Sequence, residues 1–362
     1  MKNRLVVLLI SLTLVTGLIV VGCAAPTPAP APTPAPAPAP APTPAPAPGE
    51  VITWTLASNM GGSAAWWPFT PHPRFQNMVE ERSGGRLTFD TKINLVPGAE
   101  VAFAVIDGRA DIGMQLIPWV SGTYPLWTYA SLPFFFETVY EYESAVNDPR
   151  LKEILDKNYR AEGLVRLLEA SSAQDNGHIF SNRPVATIED FSGLKVRAAG
   201  LLTADAFDAL GASPLTMAFA ELAPALAAGT VDAVATGASF GIGQGLADVT
   251  EYLNVWHIEP TFPVTLIANA ESFDALPPDL QQILREASRE LQGQIFQSGD
   301  NIIRVALSLG EAGGLTLIYP EEAETVRATA LTAGIVDKWL ELAGPDGPAV
   351  LDIISEYASG AK

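Results

Sequence analysis

Three histidines, His72, His178 and His257, are the side chains best suited to acid–base or metal chemistry at neutral pH, and they stand too far apart to form a ligand pattern such as H-E-x-x-H. No G-x-S-x-G elbow offers a nucleophilic serine. The glycine-rich run GASFGIGQG, Gly237 to Gly245, lacks the G-x-G-x-x-G spacing, and no acidic residue follows it at the end of a second strand about 20 residues on. It reads as a helix start with free backbone N–H groups. No catalytic residue, metal or cofactor is expected, and the chain is expected not to be an enzyme. What remains is non-covalent recognition. Arg197, a permanent cation, follows the apolar stretch Leu194 to Val196 and precedes a turn at Gly200, the strand-end position where α/β folds place binding residues.

The elements that must position such a residue alternate. Strands are expected at 51–58, 87–94, 110–117, 163–170 and 178–182, with helices at 72–82, 98–108 and 139–160. A second set follows: strands at 194–198, 214–217 and 231–235, helices up to Leu210 and over 219–228. Strands alternating with helices of this length imply parallel sheets covered on both faces. Short strands at 252–258 and 263–269 come next, and then an apolar three- and four-residue period without proline from Pro278 to about Gly310. That period describes one long helix, or two with a kink near Gly299. A strand at 315–319 and helices at 321–342 and 349–357 complete the chain.

The N-terminus is of another kind. Lys2 and Arg4 precede an uncharged apolar run from Leu5 to Val21, then Gly22 and Cys23, the only cysteine. A lone cysteine there resembles a bacterial lipobox, which makes 1–22 a signal peptide and Cys23 a lipidated N-terminus attached to a membrane. An ordinary secretory signal or a membrane anchor is the alternative. Residues 23–50, almost purely Ala, Pro and Thr, are expected to form an extended stalk at roughly 3 Å per residue. The expected localisation is extracytoplasmic. The formal charge of −19, from 21 basic and 40 acidic residues, argues against nucleic acid or an anionic lipid surface as a partner.

Five segments in order carry a resemblance: GRADIGMQL from Gly108, LPFFF from Leu132, SNRPVATIEDFSGLKVRAAG from Ser181, ALGASPLTMAFAELAPALAAGTVDAV from Ala209 and ANAESFDALPPDLQQILREA from Ala268. Together they resemble the DctP-type solute-binding proteins of TRAP (tripartite ATP-independent periplasmic) transporters. The resemblance implies two α/β lobes of periplasmic-binding-protein type, each a mostly parallel sheet flanked by helices, with a long helix crossing both. Lobe I would comprise 51–175 plus about 263–302, and lobe II about 176–262 plus 303–362. It implies a cleft that closes on a small organic acid, which a sodium-coupled TRAP permease then receives. In that family the arginine of the G-L-K-hydrophobic-R segment grips the ligand carboxylate, a position matched here by Arg197. A guanidinium offers a carboxylate two parallel donors, which a lysine cannot.

Elsewhere the chain departs from the family. Where many members carry a second arginine or polar residue before the S-N-(R/K)-P segment, it has Gly177, His178 and Ile179, so His178 is the candidate donor. After the V-D segment neither the asparagine of acid-sugar binders nor the Glu-Trp of a metal-dependent subgroup is met, the residues being Val234 to Ser239, and no bound cation is expected. Trp119 and Thr236, each directly after a strand aimed at the cleft, Asn59 at the end of the first strand, and the apolar Met217 and Phe240 complete the candidate ligand set. Met60, Trp66, Trp67 and Phe69 follow Asn59 as a further aromatic loop. An ABC-transporter binding protein and a sensor subunit that presents its ligand to a membrane receptor remain alternative readings.

Overall fold

A computed structural model describes residues 51–59, 72–171, 177–217, 219–259 and 261–361. The leader, Cys23, the stalk and the aromatic loop with Met60, Trp66, Trp67 and Phe69 lie outside the described residues.

Two sheets organise the rest. Sheet I contains β1 (Ile52–Ser58), β2 (Leu87–Ile93), β3 (Ile112–Leu116), β4 (Leu164–Ser171) and β10 (Pro263–Asn269), in the order β2-β1-β3-β10-β4. Sheet II contains β5 (His178–Ser181), β6 (Lys195–Arg197), β7 (Ser213–Leu215), β8 (Ala233–Thr236), β9 (Tyr252–Val255) and β11 (Thr316–Ile318), in the order β11-β9-β5-β8-β6-β7. The expectation of parallel sheets needs one amendment: both are mixed. In sheet I, β10 runs antiparallel to β3 and β4; in sheet II, β5 runs antiparallel to β8 and β9. Each reversed strand is the one the chain enters directly from the other sheet. The remaining pairings are parallel. A strand that begins where its neighbours end must run against them.

Strand alternation explains why both faces are covered. In β5, Ile179 joins the main core while Phe180 joins a second core; in β8, Ala233 and Ala235 face the first and Val234 the second. The period of two sends successive apolar residues to opposite faces, so a strand buried on both sides reads as a continuous apolar run. The first core extends from Leu56, Ile112 and Leu266 of sheet I to Val196 and Phe207 of the other half. The second, with Leu222, Leu226 and Leu246, lies against the other face of sheet II.

Helices cover these faces: α1 (His72–Ser83), α2 (Val101–Ile106), α3 (Val139–Asn147), α4 (Pro149–Ala161), α5 (Leu201–Ala209), α6 (Leu222–Ala227), α7 (Ala238–Gly243) and α8 (Ala270–Asp274). The single helix expected over 139–160 is two. Asp148, with ψ 126°, precedes Pro149, which disfavours a helical conformation for the residue before it. Its carboxylate then caps α4 by accepting the Arg150 backbone N–H at 2.7 Å. By contrast α9 (Pro278–Ala312) runs unbroken through Gly299 for 35 residues, about 50 Å. Its apolar stripe of Leu280, Leu284, Ala287, Leu291 and Ile295 packs near α1, α3 and β4, and its later part, with Ala306, meets α7 and β11. It therefore crosses both halves.

The segment after 303, which the sequence assigns to lobe II, divides its packing. α10 (Glu322–Thr332) lies on α5, α11 (Gly334–Ala343) touches both α5 and the 3₁₀ turn Pro125–Ser131, and α12 (Gly347–Ser355) returns to α3 and α4. The Trp339 indole N–H donates to the Pro125 carbonyl at 2.8 Å, and Arg150 makes two hydrogen bonds to Glu356, at 2.9 and 2.7 Å. Among the described residues no helix is long and apolar enough to cross a membrane.

Candidate functional site

Apart from the reversed β5 and β10, the strands of each sheet point their carboxyl ends at the gap between the halves, and the candidate site lies there. β6 is short, its first residue held by the Asp232 carboxylate, which accepts the Lys195 N–H at 2.9 Å. Arg197 ends it, paired in register with Leu215 of β7 and Val234 of β8. Its side chain is 2% exposed, yet it reaches the wall of a cleft of about 440 Å³. One terminal nitrogen, Nη1, donates to the Ala235 carbonyl at 3.2 Å, and the guanidinium carbon stands 5.2 Å from the centre of the Phe219 ring. Nε is buried with no hydrogen-bond partner, and among the described residues no carboxylate forms an ion pair with this guanidinium. Burial pulls its pKa down to about 10, against a smaller opposing pull from the Glu259 carboxylate. At neutral pH it is still charged. A buried cation without a counter-ion is costly in isolation.

Opposite Arg197 stands Trp119, in the 3₁₀ turn Ile117–Val120 that follows β3. Gly98 makes room for the indole: a methyl group there would come within 1.8 Å of the ring. Trp119 lies 4.8 Å from Phe219 between ring centres, and Phe219 lies 4.4 Å from Phe240. This aromatic row leads from the sheet I side to the sheet II side. Ala99, Pro118 and Ser121 continue the first wall; Ala199, Gly200, Leu201, Ala204, Thr216 and Met217 continue the second.

The two walls meet at the rim. Ser121 Oγ accepts the Leu201 N–H at 3.1 Å while donating to the Pro118 carbonyl at 2.8 Å. Beside it, a methyl group on Gly200 would come within 2.5 Å of the Pro118 oxygen. Gly200 has extended backbone that any residue adopts, so space rather than conformation calls for glycine here.

Of the residues expected at the site, the cleft wall brings together Arg197, Trp119 and Met217. Phe240 is buried directly behind Phe219. Thr236 ends β8 in register with His178, the first residue of β5; both are buried at the same sheet edge as Arg197, off the cleft wall. The His178 ring meets that of His257 edge-on at 5.3 Å. Asn59 donates to the Val96 carbonyl at 2.8 Å, holding the loop between β2 and Gly98. Phe219, Gly98, Pro118, Ser121, Gly200 and Thr216 escaped the sequence reading. Phe219 stands in a segment that reads only as the start of a helix, and the others owe their place to contacts across the gap, which leave no local signal.

A family model for bacterial extracellular solute-binding proteins, family 7, DctP, matches residues 71–341. The chain is 27% identical over 228 residues to the 2,3-diketo-L-gulonate-binding periplasmic protein YiaO of Escherichia coli, which covers 60% of this chain and 66% of that protein. It is similar in fold to DctP6 of Bordetella pertussis, an extracytoplasmic solute receptor binding pyroglutamic acid, with a TM-score of 0.77 at 25% identity over 84% of this chain and 100% of that one. A TRAP periplasmic solute-binding protein from Roseobacter denitrificans with bound β-D-glucuronate superposes with a TM-score of 0.74 at 20% identity, over 84% of this chain and 99% of that one.

Proposed function

The chain belongs to the DctP family of bacterial extracellular solute-binding proteins, and we propose that it captures a small organic acid outside the cytoplasm and hands it to the membrane subunits of a TRAP transporter. One observation carries this reading: Arg197 is a charged guanidinium on a cleft wall, with its Nε unpartnered and no ion pair among the described residues. A ligand carboxylate supplies what that arrangement lacks, a counter-ion that accepts parallel N–H bonds. The relatives and neighbours support it. Pyroglutamic acid, glucuronate and 2,3-diketo-L-gulonate differ in size and shape and share a carboxylate.

In this reading Arg197, Trp119 and Met217 touch the ligand, and Thr236, Phe240, His178 and Asn59 complete the site from behind or beside the wall. The Ser121–Leu201 and Pro118–Gly200 contacts belong to the closed state. Ligand bound by both halves shifts the population towards closure, and the permease distinguishes closed from open. Two lobes, 51–175 plus about 263–302 and about 176–262 plus 303–362, hinge about the crossing strands, with α11 and α12 of the second also packed on the first. A lipid on Cys23 and the Ala/Pro stalk hold the head near the membrane, and the permease couples transport to sodium. Its role is that of a receptor, without catalysis.

The test is mass spectrometry of small molecules that co-purify with the protein and are released on unfolding, followed by calorimetry with the molecule found. A released acid whose binding depends on Arg197 is expected. A released ligand without a carboxylate overturns the reading.

A further inference from the structure

We infer that the ligand carries a single carboxylate and is otherwise uncharged: a small monocarboxylate with a flat or apolar body. The inference rests on the reading of this cleft as a carboxylate site and goes beyond it by excluding dicarboxylates.

Charge limits what this cleft can hold. Among the described residues that line the cleft, Arg197 is the only charged one. Around it are Pro118, Trp119, Met217 and Phe219, which can stack or pack but cannot answer a second anion. The Ser121 hydroxyl is already used in both directions, accepting from Leu201 and donating to Pro118. Stretches 60–71 and 172–176 and positions 218 and 260, which lie outside the described residues, contain no lysine or arginine at all; the charged residue among them is Asp175. Glu259 acts on Arg197 electrostatically and adds negative charge to the vicinity.

A second carboxylate shut into this cleft would lose its hydration with no second cation on the described wall to replace it, His178 being buried off that wall, and buried charges persist only when paired and hydrogen-bonded. An amide, a ketone or a hydrocarbon edge at that end loses far less. The volume of about 440 Å³ stands towards the small end of ligand pockets, which suits a compact ring or short chain lying against Trp119 and Phe219.

The test is a capture experiment with the full mature chain. The protein is incubated with the small-acid fraction of a bacterial extract, to which pyroglutamate and three matched pairs are added in equal amounts: succinate with succinamate, glutarate with glutaramate, and phthalate with phthalamate. It is then washed and unfolded, and what it held is weighed by mass spectrometry against an Arg197→Ala control. Retained acids are expected to have one carboxylate, with any retained monoamide enriched at least about tenfold over its dicarboxylate partner. If a dicarboxylate is retained as strongly as its monoamide, or is the main acid drawn from the extract, this inference is wrong while the carboxylate site stands. If no acid is retained beyond the Arg197→Ala control, the carboxylate anchor itself falls and takes the inference with it.

Discussion

Arg197→Ala should separate binding from stability, because the same burial that makes the guanidinium useful to a ligand makes it costly without one. Its pKa falls from the ordinary arginine value to about 10, which corresponds to roughly 3 kcal/mol by which the unliganded fold disfavours the charged form. A cation with a lowered folded-state pKa destabilises the fold at every pH below that value, and the penalty fades as pH rises through about 10 towards the ordinary arginine value. Removing the side chain removes the penalty. It also removes the hydrogen bond to Ala235 and the contact with Phe219, worth about 1 kcal/mol each. The unliganded variant should therefore melt at or slightly above the wild-type temperature. With ligand the balance reverses: loss of a buried charge partner costs about 2–5 kcal/mol, a weakening of roughly thirtyfold to a few thousandfold. Arg197→Lys keeps the charge without the two-donor fork and should recover only part of the affinity. Calorimetry with the co-purified ligand and thermal melts of the unliganded variants decide the matter. Binding within about threefold of wild type, under 1 kcal/mol, refutes the anchor; a large drop in the unliganded melting temperature refutes the claim that the charge is uncompensated.

Gly200→Ala places a methyl group against the Pro118 carbonyl where the walls meet, so it should weaken ligand binding by about 1–3 kcal/mol and leave the liganded radius of gyration larger than in the wild type, as read by solution scattering. The Asp148 carboxyl is held well below the usual carboxylate range, first by hydrogen bonds from Arg150 and further by the Tyr357 hydroxyl. A depressed carboxylate contributes stability above its ordinary pKa and loses it as pH falls through and below that range. Melting temperature should thus drop on acidification below about pH 4, with a shallower slope in Asp148→Asn. Cys23→Ser should release the head from membranes or leave unprocessed precursor, checked by fractionation and intact mass, because a lipid supplies most of the attachment proposed.

Much of the architecture was legible in local pattern. The proline-free apolar period after Pro278 announced a helix that crosses both halves, and the strand at Leu194 to Val196 placed Arg197 at a strand end. Pattern failed where the chain's path decided the outcome. The break at Asp148 was written in the sequence as Asp-Pro but masked by strong apolar periodicity on both sides. The reversed direction of β5 and β10 has no signature in composition, since a strand reads the same whichever way its neighbours run.

The cleft divides in the same way. Sequence alone determined that the chain has a strand-end arginine in a segment resembling the G-L-K-hydrophobic-R pattern, neither an H-E-x-x-H nor a G-x-S-x-G motif, and no lysine or arginine in the segments around Trp66 and Gln174. These are statements about residue types and short-range order, which neighbouring residues settle among themselves. Tertiary structure alone decided that Trp119 faces Phe219, that Gly98 clears space for an indole 21 residues further along the chain, and that Ser121 meets the backbone of Leu201 across the gap. It also decided that Thr236 and His178 end beneath the wall instead of on it. Such contacts arise when distant segments are packed against one another, and the free energy that selects them belongs to the assembled surfaces and not to any window of the sequence.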